Sequence, residues 1–335
     1  MDLTTSYMGL QLRNPLVASA SPLNRDLGTL RALEDQGIGA VVLPSIFEEE
    51  IAAERLELEL RTEGLSASGF AEAQTYFPVH SKLELGPERY LELVRGAKAA
   101  LDIPVIASLN CMTLGGWVDY ARSLEQAGAD GLELNVFFVP ADLSLSGLDV
   151  ERRYVDILAA VRAVVRIPIA IKMGPYFSAI GAMARALVEG GANALVLFNR
   201  FYQPDIDLLK FGLSLDLQLS TPSEIRLPLL WIAILHGRLQ ASLAATTGVE
   251  SPDEVLKYLL VGADVVMTTS ALLRHGVAHV KTLLDGLRAA LTAREVSSVA
   301  EIRGRMSQRN VTNPTLFERA NYVRILRSYE TDRGR

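Results

Sequence analysis

Gly39-Ala40-Val41-Val42-Leu43 decides the fold of this chain, because the same phrase returns three more times. It recurs as Gly128-Ala129-Asp130-Gly131-Leu132-Glu133-Leu134, as Gly191-Ala192-Asn193-Ala194-Leu195-Val196-Leu197 and as Gly262-Ala263-Asp264-Val265-Val266-Met267. Each copy follows a helix-like stretch and opens a short apolar run. A strand that is covered by helices on both faces needs no polar side, so this alternation is typical of parallel βα units.

Two runs of a second kind, 103–108 and 167–172, also follow helix-like stretches. With the other apolar runs they give eight candidate strands: 16–20, 40–45, 104–110, 131–138, 168–173, 194–199, 240–246 and 264–269. Eight units in 335 residues favour an α/β fold of the (β/α)8 TIM-barrel type over an open doubly wound sheet. We expect an N-terminal extension and insertions after the second and sixth strands. No linker-like segment divides the repeats, so 1–335 is predicted to form a single domain.

Composition restricts the class of partner. The chain is 49% hydrophobic and 21% charged, with a formal net charge of -6. A nucleic-acid surface needs clustered Lys and Arg, so we do not expect nucleic-acid binding. The N-terminus lacks a basic segment followed by an apolar core, and the longest apolar run, 227–235, is too short to cross a bilayer. The sequence therefore predicts a soluble cytoplasmic protein that does not bind membranes.

The sequence predicts neither a disulfide nor a metal site. Cys111 is the single cysteine, which excludes an internal disulfide and a cysteine-based metal cluster. The four histidines, His80, His236, His275 and His279, show no ligand spacing such as His-Glu-x-x-His.

Chemistry in such a barrel is expected at the C-terminal ends of the strands. The residues that follow the apolar runs are mostly small and polar: Ala20, Ser21, Ser45, Asn110, Asn135, Asn199, Thr247, Gly248, Thr269 and Ser270. Lys172 stands out, because a lone lysine that ends an apolar strand needs an anionic or electron-rich partner in the barrel mouth. A cofactor ring with negative charge would supply one. An internal ion pair with Glu133 is the alternative.

A phosphate site is predicted between the seventh and eighth strands. They end in Thr247-Gly248 and Thr269-Ser270, where small residues leave backbone N–H groups and hydroxyls uncovered. Ser251-Pro252-Asp253-Glu254 reads as a helix start with an N-cap, an N1 proline and an acid at N3, which fixes the loop geometry. Tight turns with capping hydroxyls would give the same pattern.

These motifs resemble the dihydroorotate dehydrogenases, FMN-dependent barrels that oxidise a dihydropyrimidine in pyrimidine biosynthesis. Asn14-Pro15-Leu16-Val17-Ala18-Ser19-Ala20-Ser21 resembles the first strand with its flavin-contacting turn, and Glu133-Leu134-Asn135 resembles the opening of the active-site loop. The segment that carries the family's flavin lysine is similar to Ile171-Lys172-Met173-Gly174-Pro175-Tyr176-Phe177. Asn199 occupies the position where the family has an asparagine after the sixth strand.

Later segments extend the resemblance to the cofactor phosphate. Thr247-Gly248-Val249-Glu250 is similar to the family's Gly-Gly-Ile-Glu turn, and Thr269-Ser270-Ala271-Leu272 is similar to its Gly-Thr-Ala-Leu. The stretch 205–219 falls at the family's inserted hairpin, where Gly212-Leu213-Ser214 loosely matches a glycine-rich flavin contact. The resemblance implies an FMN site built from Ala20, Ser21, Ser45, Asn135, Lys172, Asn199, Thr247, Gly248, Thr269 and Ser270.

The chain departs from the family where substrate chemistry takes place. The family's base, a Cys or Ser, is replaced by Phe138, and a phenyl ring cannot accept a proton. The segment 71–78 lacks the asparagines of the substrate loop, and Pro44 replaces a lysine near the flavin. Each hydrogen bond to orotate that is lost in this way would cost about 1–3 kcal/mol of binding free energy.

Two hypotheses about function follow. The chain is an FMN oxidoreductase whose pocket, lined by Phe137 and Phe138, takes a more apolar small-molecule substrate, or it is a non-catalytic or electron-relay subunit. Cys111 is a weak candidate for the missing base, if Lys172 favours its thiolate; otherwise it only packs in the core. Tyr76 and Tyr202 are further candidates for proton donors. By analogy we expect a homodimer. The sequence leaves open whether an electron-transfer partner protein delivers electrons.

Overall fold

A computed structural model of the chain describes residues 1–50, 87–201, 203–214, 216–318 and 322–327. The substrate-loop segment 71–78, Tyr76 and Tyr202 therefore lie outside the described residues. Among the described residues, no helix combines the length and the apolar character that a membrane crossing needs.

Eight parallel strands close into a barrel, which confirms the predicted fold. In chain order they are β3 (Leu16–Ala18), β4 (Ala40–Phe47), β5 (Val105–Asn110), β6 (Gly131–Asn135), β7 (Ile169–Met173), β8 (Ala194–Leu197), β11 (Ser242–Ala245) and β12 (Val265–Thr268). Two antiparallel pairs lie outside the barrel: β1 (Thr5–Tyr7) with β2 (Leu10–Leu12), and β9 (Asp205–Asp207) with β10 (Gly212–Ser214). The second pair is the predicted hairpin after the sixth strand.

Helices follow the strands along the chain. Those described in full are α1 (Leu27–Asp35), α2 (Pro87–Ala100), α3 (Leu114–Gln126), α4 (Gly147–Arg162), α5 (Ile180–Glu189), α6 (Arg226–Leu235), α7 (Pro252–Val261), α8 (Ser270–His275), α9 (His279–Thr292) and α10 (Val299–Ile302). Their apolar faces pack on the outside of the barrel in one large core, whereas a second cluster fills its interior.

The repeated strand-entry phrase has two structural causes. Gly128, Gly191 and Gly262 have φ of +98°, +102° and +114°, a left-handed conformation that lets each helix turn into the next strand. The polar third residue of the phrase then accepts an N–H from the start of the preceding strand: Asp130 from Val105, Asn193 from Ile169 and Asp264 from Leu243, at 2.8, 2.9 and 2.7 Å. The phrase therefore anchors pairs of neighbouring strands.

The N-terminal hairpin closes one end of the barrel. Tyr7, Met8 and Leu12 belong to the interior cluster, and the Met8 N–H donates to Ser242 Oγ at the start of β11 over 3.1 Å. The opposite end, where the strands finish, carries the polar residues discussed next.

The largest difference between a predicted and an observed strand end is at β6. β6 stops at Asn135 and not at Phe138, because the Phe137 N–H turns back to the Asn135 carbonyl at 2.9 Å. The aromatic residues 137 and 138 therefore leave the barrel wall.

Candidate functional site

A cavity of about 280 Å³ opens at the C-terminal end of the barrel, between the ends of β3, β7, β8, β11 and β12. We call it the main cavity. Its wall contains the predicted cofactor residues Ala20, Ser21, Lys172, Asn199, Thr247, Gly248, Thr269 and Ser270. The lysine and both predicted phosphate turns thus face one common space. Ser45 and Asn135 are the two predicted residues outside this wall.

Ser45 and Asn135 are joined to the main cavity by hydrogen bonds. Asn199 Nδ2 donates to Asn135 Oδ1 at 2.5 Å, and Asn135 Nδ2 donates to Ser45 Oγ at 3.1 Å. The hydroxyls of Ser45 and Ser108 are hydrogen-bonded at 2.7 Å. This series of hydrogen bonds crosses the barrel mouth from Asn199, after β8, to Ser108 in β5. It fixes the side-chain orientation of Asn199 in the wall.

Lys172 makes the predicted ion pair with Glu133 and also lines the main cavity. Its Nζ lies 3.3 Å from Glu133 Oε1, in a pair whose side chains are 10% and 1% exposed. Because an ammonium group has three donor hydrogens, one such bond leaves capacity for a ligand. The internal ion pair and a ligand contact are therefore compatible.

The turn after β11 has an unusual backbone conformation. Thr247 and Gly248 have φ of +80° and +73°, and Tyr258 on α7 holds the turn by donating to the Thr247 carbonyl at 2.8 Å. A Cβ on Gly248 would lie 2.6 Å from the Thr221 carbonyl oxygen. The positive φ and this close approach together require glycine at position 248.

The helix start predicted after this turn is present. Ser251 is the N-cap of α7, and its N–H and hydroxyl donate to Glu254 Oε2 at 2.8 and 2.7 Å. The capping box fixes the end of the turn, as its sequence pattern indicates.

Ser220 is a site residue that the sequence reasoning missed. Its hydroxyl accepts the Gly248 N–H at 3.2 Å, and its own N–H donates to Ser270 Oγ at 3.1 Å, so it bridges the two turns. Gly212-Leu213-Ser214, the stretch expected there, lies in β10 and is absent from the described wall. The capping box of Thr221 and Glu224 was a usable signal, because it starts a helix directly after Ser220.

The ion pair between Arg274 and Glu250 holds Ser220 in its position between the two turns. Arg274 on α8 donates from Nη2 to the Ser220 carbonyl at 2.7 Å and also bonds to the carboxylate of Glu250. Glu250 is further paired with His275 at 2.5 Å. The turns after β11 and β12 are thus held together by side chains as well as by the barrel.

Phe138 does not line the main cavity. Its ring lies under the guanidinium of Arg153, with 4.3 Å from Cζ to the ring centroid. Phe137 packs on Phe201, with 4.8 Å between ring centroids. Neither Phe137 nor Phe138 belongs to the described wall of the main cavity, so the expectation that both line its pocket is not met, because the chain leaves the barrel at Asn135.

Cys111 is a poor candidate for a base. Its side chain is 5% exposed and belongs to the core between barrel and helices, and it is absent from the described wall of the main cavity. Burial, followed by the charges of Glu48 and Glu49, raises the pKa of the thiol well above its usual range. The expected stabilisation of a thiolate by Lys172 is therefore not found.

Alkylation measures this directly. We expect iodoacetamide to label Cys111 about 100-fold more slowly in the folded chain than in denaturant, because the thiolate is the reactive form. The rates are followed by mass spectrometry at constant pH. Rapid labelling of the folded protein at neutral pH would contradict the assignment of Cys111 to the core.

Comparisons with known proteins give relatives along most of the chain. A protein of Aeropyrum pernix, provisionally named dihydroorotate dehydrogenase A (fumarate), is 28% identical over 318 residues, which cover 90% of this chain and 97% of the relative. The chloroplastic dihydropyrimidine dehydrogenase (NADP(+)) of Arabidopsis thaliana is 24% identical and covers 95% and 80%. Subunit PreA of the NAD-dependent dihydropyrimidine dehydrogenase of Escherichia coli is 25% identical and covers 96% and 80%. No protein-family model matches the chain.

Proposed function

We propose that this chain, which is similar to dihydroorotate and dihydropyrimidine dehydrogenases, is an FMN-dependent oxidoreductase acting on a CH–CH bond of a small molecule. One observation carries the proposal: Lys172 and the two hydroxyl-bearing turns line the same cavity. The relatives named as dehydrogenases of dihydroorotate or dihydropyrimidine support the reaction class. FMN, when bound, supplies the hydride acceptor or donor.

The donor set of the main cavity fits the two ends of FMN. At the phosphate end, the hydroxyls of Thr247 and Ser270 line the cavity as donors, whereas the Thr269 hydroxyl donates to the Ser19 carbonyl at 3.3 Å. Gly248 has no side chain that would cover the turn. At the ring end, Lys172 offers an ammonium and Asn199 an amide that is held in place by Asn135. Lys172 would favour negative charge at the edge of the ring.

A second candidate function is an electron-relay or non-catalytic subunit. The observation that favours it is the missing base: Phe138 pairs with Arg153, and Cys111 lies in the core. Under either function we propose a homodimer by analogy with the resembled family, and a cytoplasmic location; an electron-transfer partner protein would fit the relay function.

Absorbance of the purified chain tests cofactor binding. After incubation with FMN and removal of the excess, we expect a yellow protein with about one flavin per chain, because one cavity has the full donor set. A protein that stays colourless after reconstitution would overturn the proposal.

Adding dihydroorotate tests whether dihydroorotate itself or another small molecule is the substrate. We expect no bleaching of the bound flavin when dihydroorotate is added without oxygen, because Phe138 occupies the position of the family's base and its ring pairs with Arg153. Dithionite, which reduces flavin without the protein's help, is the control. Rapid bleaching by dihydroorotate would show that another residue supplies the base.

A further inference from the structure

A second cavity, of about 240 Å³, adjoins the main cavity. The two share Asn199, Arg200 and Thr247 in their walls. A molecule in the second cavity would therefore lie beside the occupant of the first. Nothing in the resemblance assigns a role to this space.

Aromatic side chains form one wall of the second cavity. The ring centroid of Phe201 lies 4.8 Å from that of Tyr176, in an edge-to-face contact, and 4.8 Å from that of Phe137 on its other side. Phe201 reaches this position over Gly174, where a Cβ would lie 2.6 Å from its ring. Tyr176 is 65% exposed and Phe137 is 38% exposed. A cluster of aromatic rings open to solvent beside a cavity is typical of a ligand-binding surface.

The charges in the wall of the second cavity favour a neutral occupant. Arg200 and Glu224 both line it, and Arg200 Nε lies 2.9 Å from Glu224 Oε1. Burial raises the pKa of Glu224, but the Thr221 N–H and Arg200 outweigh it, so the pKa is lowered and the carboxylate stays charged. In the described wall of this cavity the two opposite charges therefore cancel. An anionic ligand would have to compete with Glu224 for Arg200 and would be repelled by the Glu224 carboxylate.

From these contacts we propose that the second cavity binds a neutral, flat, cyclic compound, such as an aromatic amide or a conjugated cyclic ketone. Its ring stacks on Phe201 and Tyr176, and its polar edge meets the amides of Asn199 and Gln203. The placing of this ring next to the flavin rests on the proposed function. The proposal goes beyond it, since it names the charge and shape of the substrate.

Benzamide and benzoate are a matched pair of probes, because they share size and ring and differ in charge. Their dissociation constants are measured by ligand-observed NMR titration, with the flavin-free chain and with the FMN-loaded chain. We expect benzoate to bind about tenfold more weakly than benzamide, the equivalent of about 1.4 kcal/mol. Equal or tighter binding of benzoate would overturn the proposal, as would no binding of either probe.

Two variants locate the binding site. Phe201→Leu keeps an apolar side chain over Gly174 but removes the ring, and we expect it to weaken benzamide binding about tenfold. Phe211→Leu changes a ring that is 91% exposed and outside the described wall, and no change is expected. An unchanged benzamide affinity in Phe201→Leu would refute the stacking wall.

The outcomes for the two proposals are distinct. A chain that takes up no FMN but prefers benzamide, in a way that depends on Phe201, supports this cavity and refutes the flavin assignment. A chain that binds FMN without this preference supports the flavin assignment and overturns the neutral-ring site alone.

Discussion

Lys172→Ala is expected to abolish retention of FMN and to lower the free energy of unfolding by about 3–5 kcal/mol, because it leaves a buried carboxylate unpaired. Glu133 is fully buried, and its second oxygen, Oε2, has no hydrogen-bond partner among the described residues. Lys172 therefore provides most of the compensation for this charge. Urea unfolding gives the stability, and quenching of flavin fluorescence gives the affinity.

A double variant separates the two roles of Lys172. In Lys172→Met with Glu133→Leu, both charges are replaced by apolar groups of similar size, an exchange that is often neutral for stability. We expect this protein to recover most of the lost stability but not the FMN affinity. If it binds FMN as tightly as the unchanged chain, the lysine serves the barrel alone and does not contact the flavin.

Gly248→Ala is expected to weaken FMN binding about 100-fold, which corresponds to about 2.7 kcal/mol, and to leave riboflavin binding nearly unchanged. A Cβ at φ of +73° would lie 2.6 Å from the Thr221 carbonyl oxygen, so the turn must move. Riboflavin lacks the phosphate, and the loss is therefore confined to FMN. Parallel fluorescence titrations with both flavins measure the difference.

Gly181→Ala is the matched control. Gly181 lies in α5, and a Cβ there would meet no atom within 4 Å. This change should leave both affinities unaltered and stabilise the helix by up to about 1 kcal/mol. If Gly248→Ala weakened FMN and riboflavin equally, the turn would not be a phosphate site.

The barrel could be predicted because its signals are local. Gly128, Gly191 and Gly262 mark the same left-handed turn, and the polar residues that follow cap neighbouring strands. The end of a strand is difficult to predict from the sequence where no turn residue marks it. β6 ends at Asn135 through a backbone bond from Phe137, which an apolar run such as 136–139 does not reveal.

Much of the site could be located for the same reason, since a closed parallel barrel brings all strand ends to one face. Lys172 lies near the end of β7, Thr247 and Thr269 come shortly after β11 and β12, and all three line the main cavity. Ser220 could not be placed in this way, because it belongs to a long connection whose path depends on Arg274 and Ser270. The resemblance to the family's active-site loop puts Phe138 at the base position, whereas its ring turns to Arg153 outside the barrel.

A crystal structure of the chain grown with FMN tests the central claim most directly. We expect the phosphate within hydrogen-bonding distance of Thr247, Gly248, Thr269 and Ser270, and the ring edge beside Lys172 Nζ. Clear density for FMN in another place, or an empty main cavity at saturating FMN, would contradict the account.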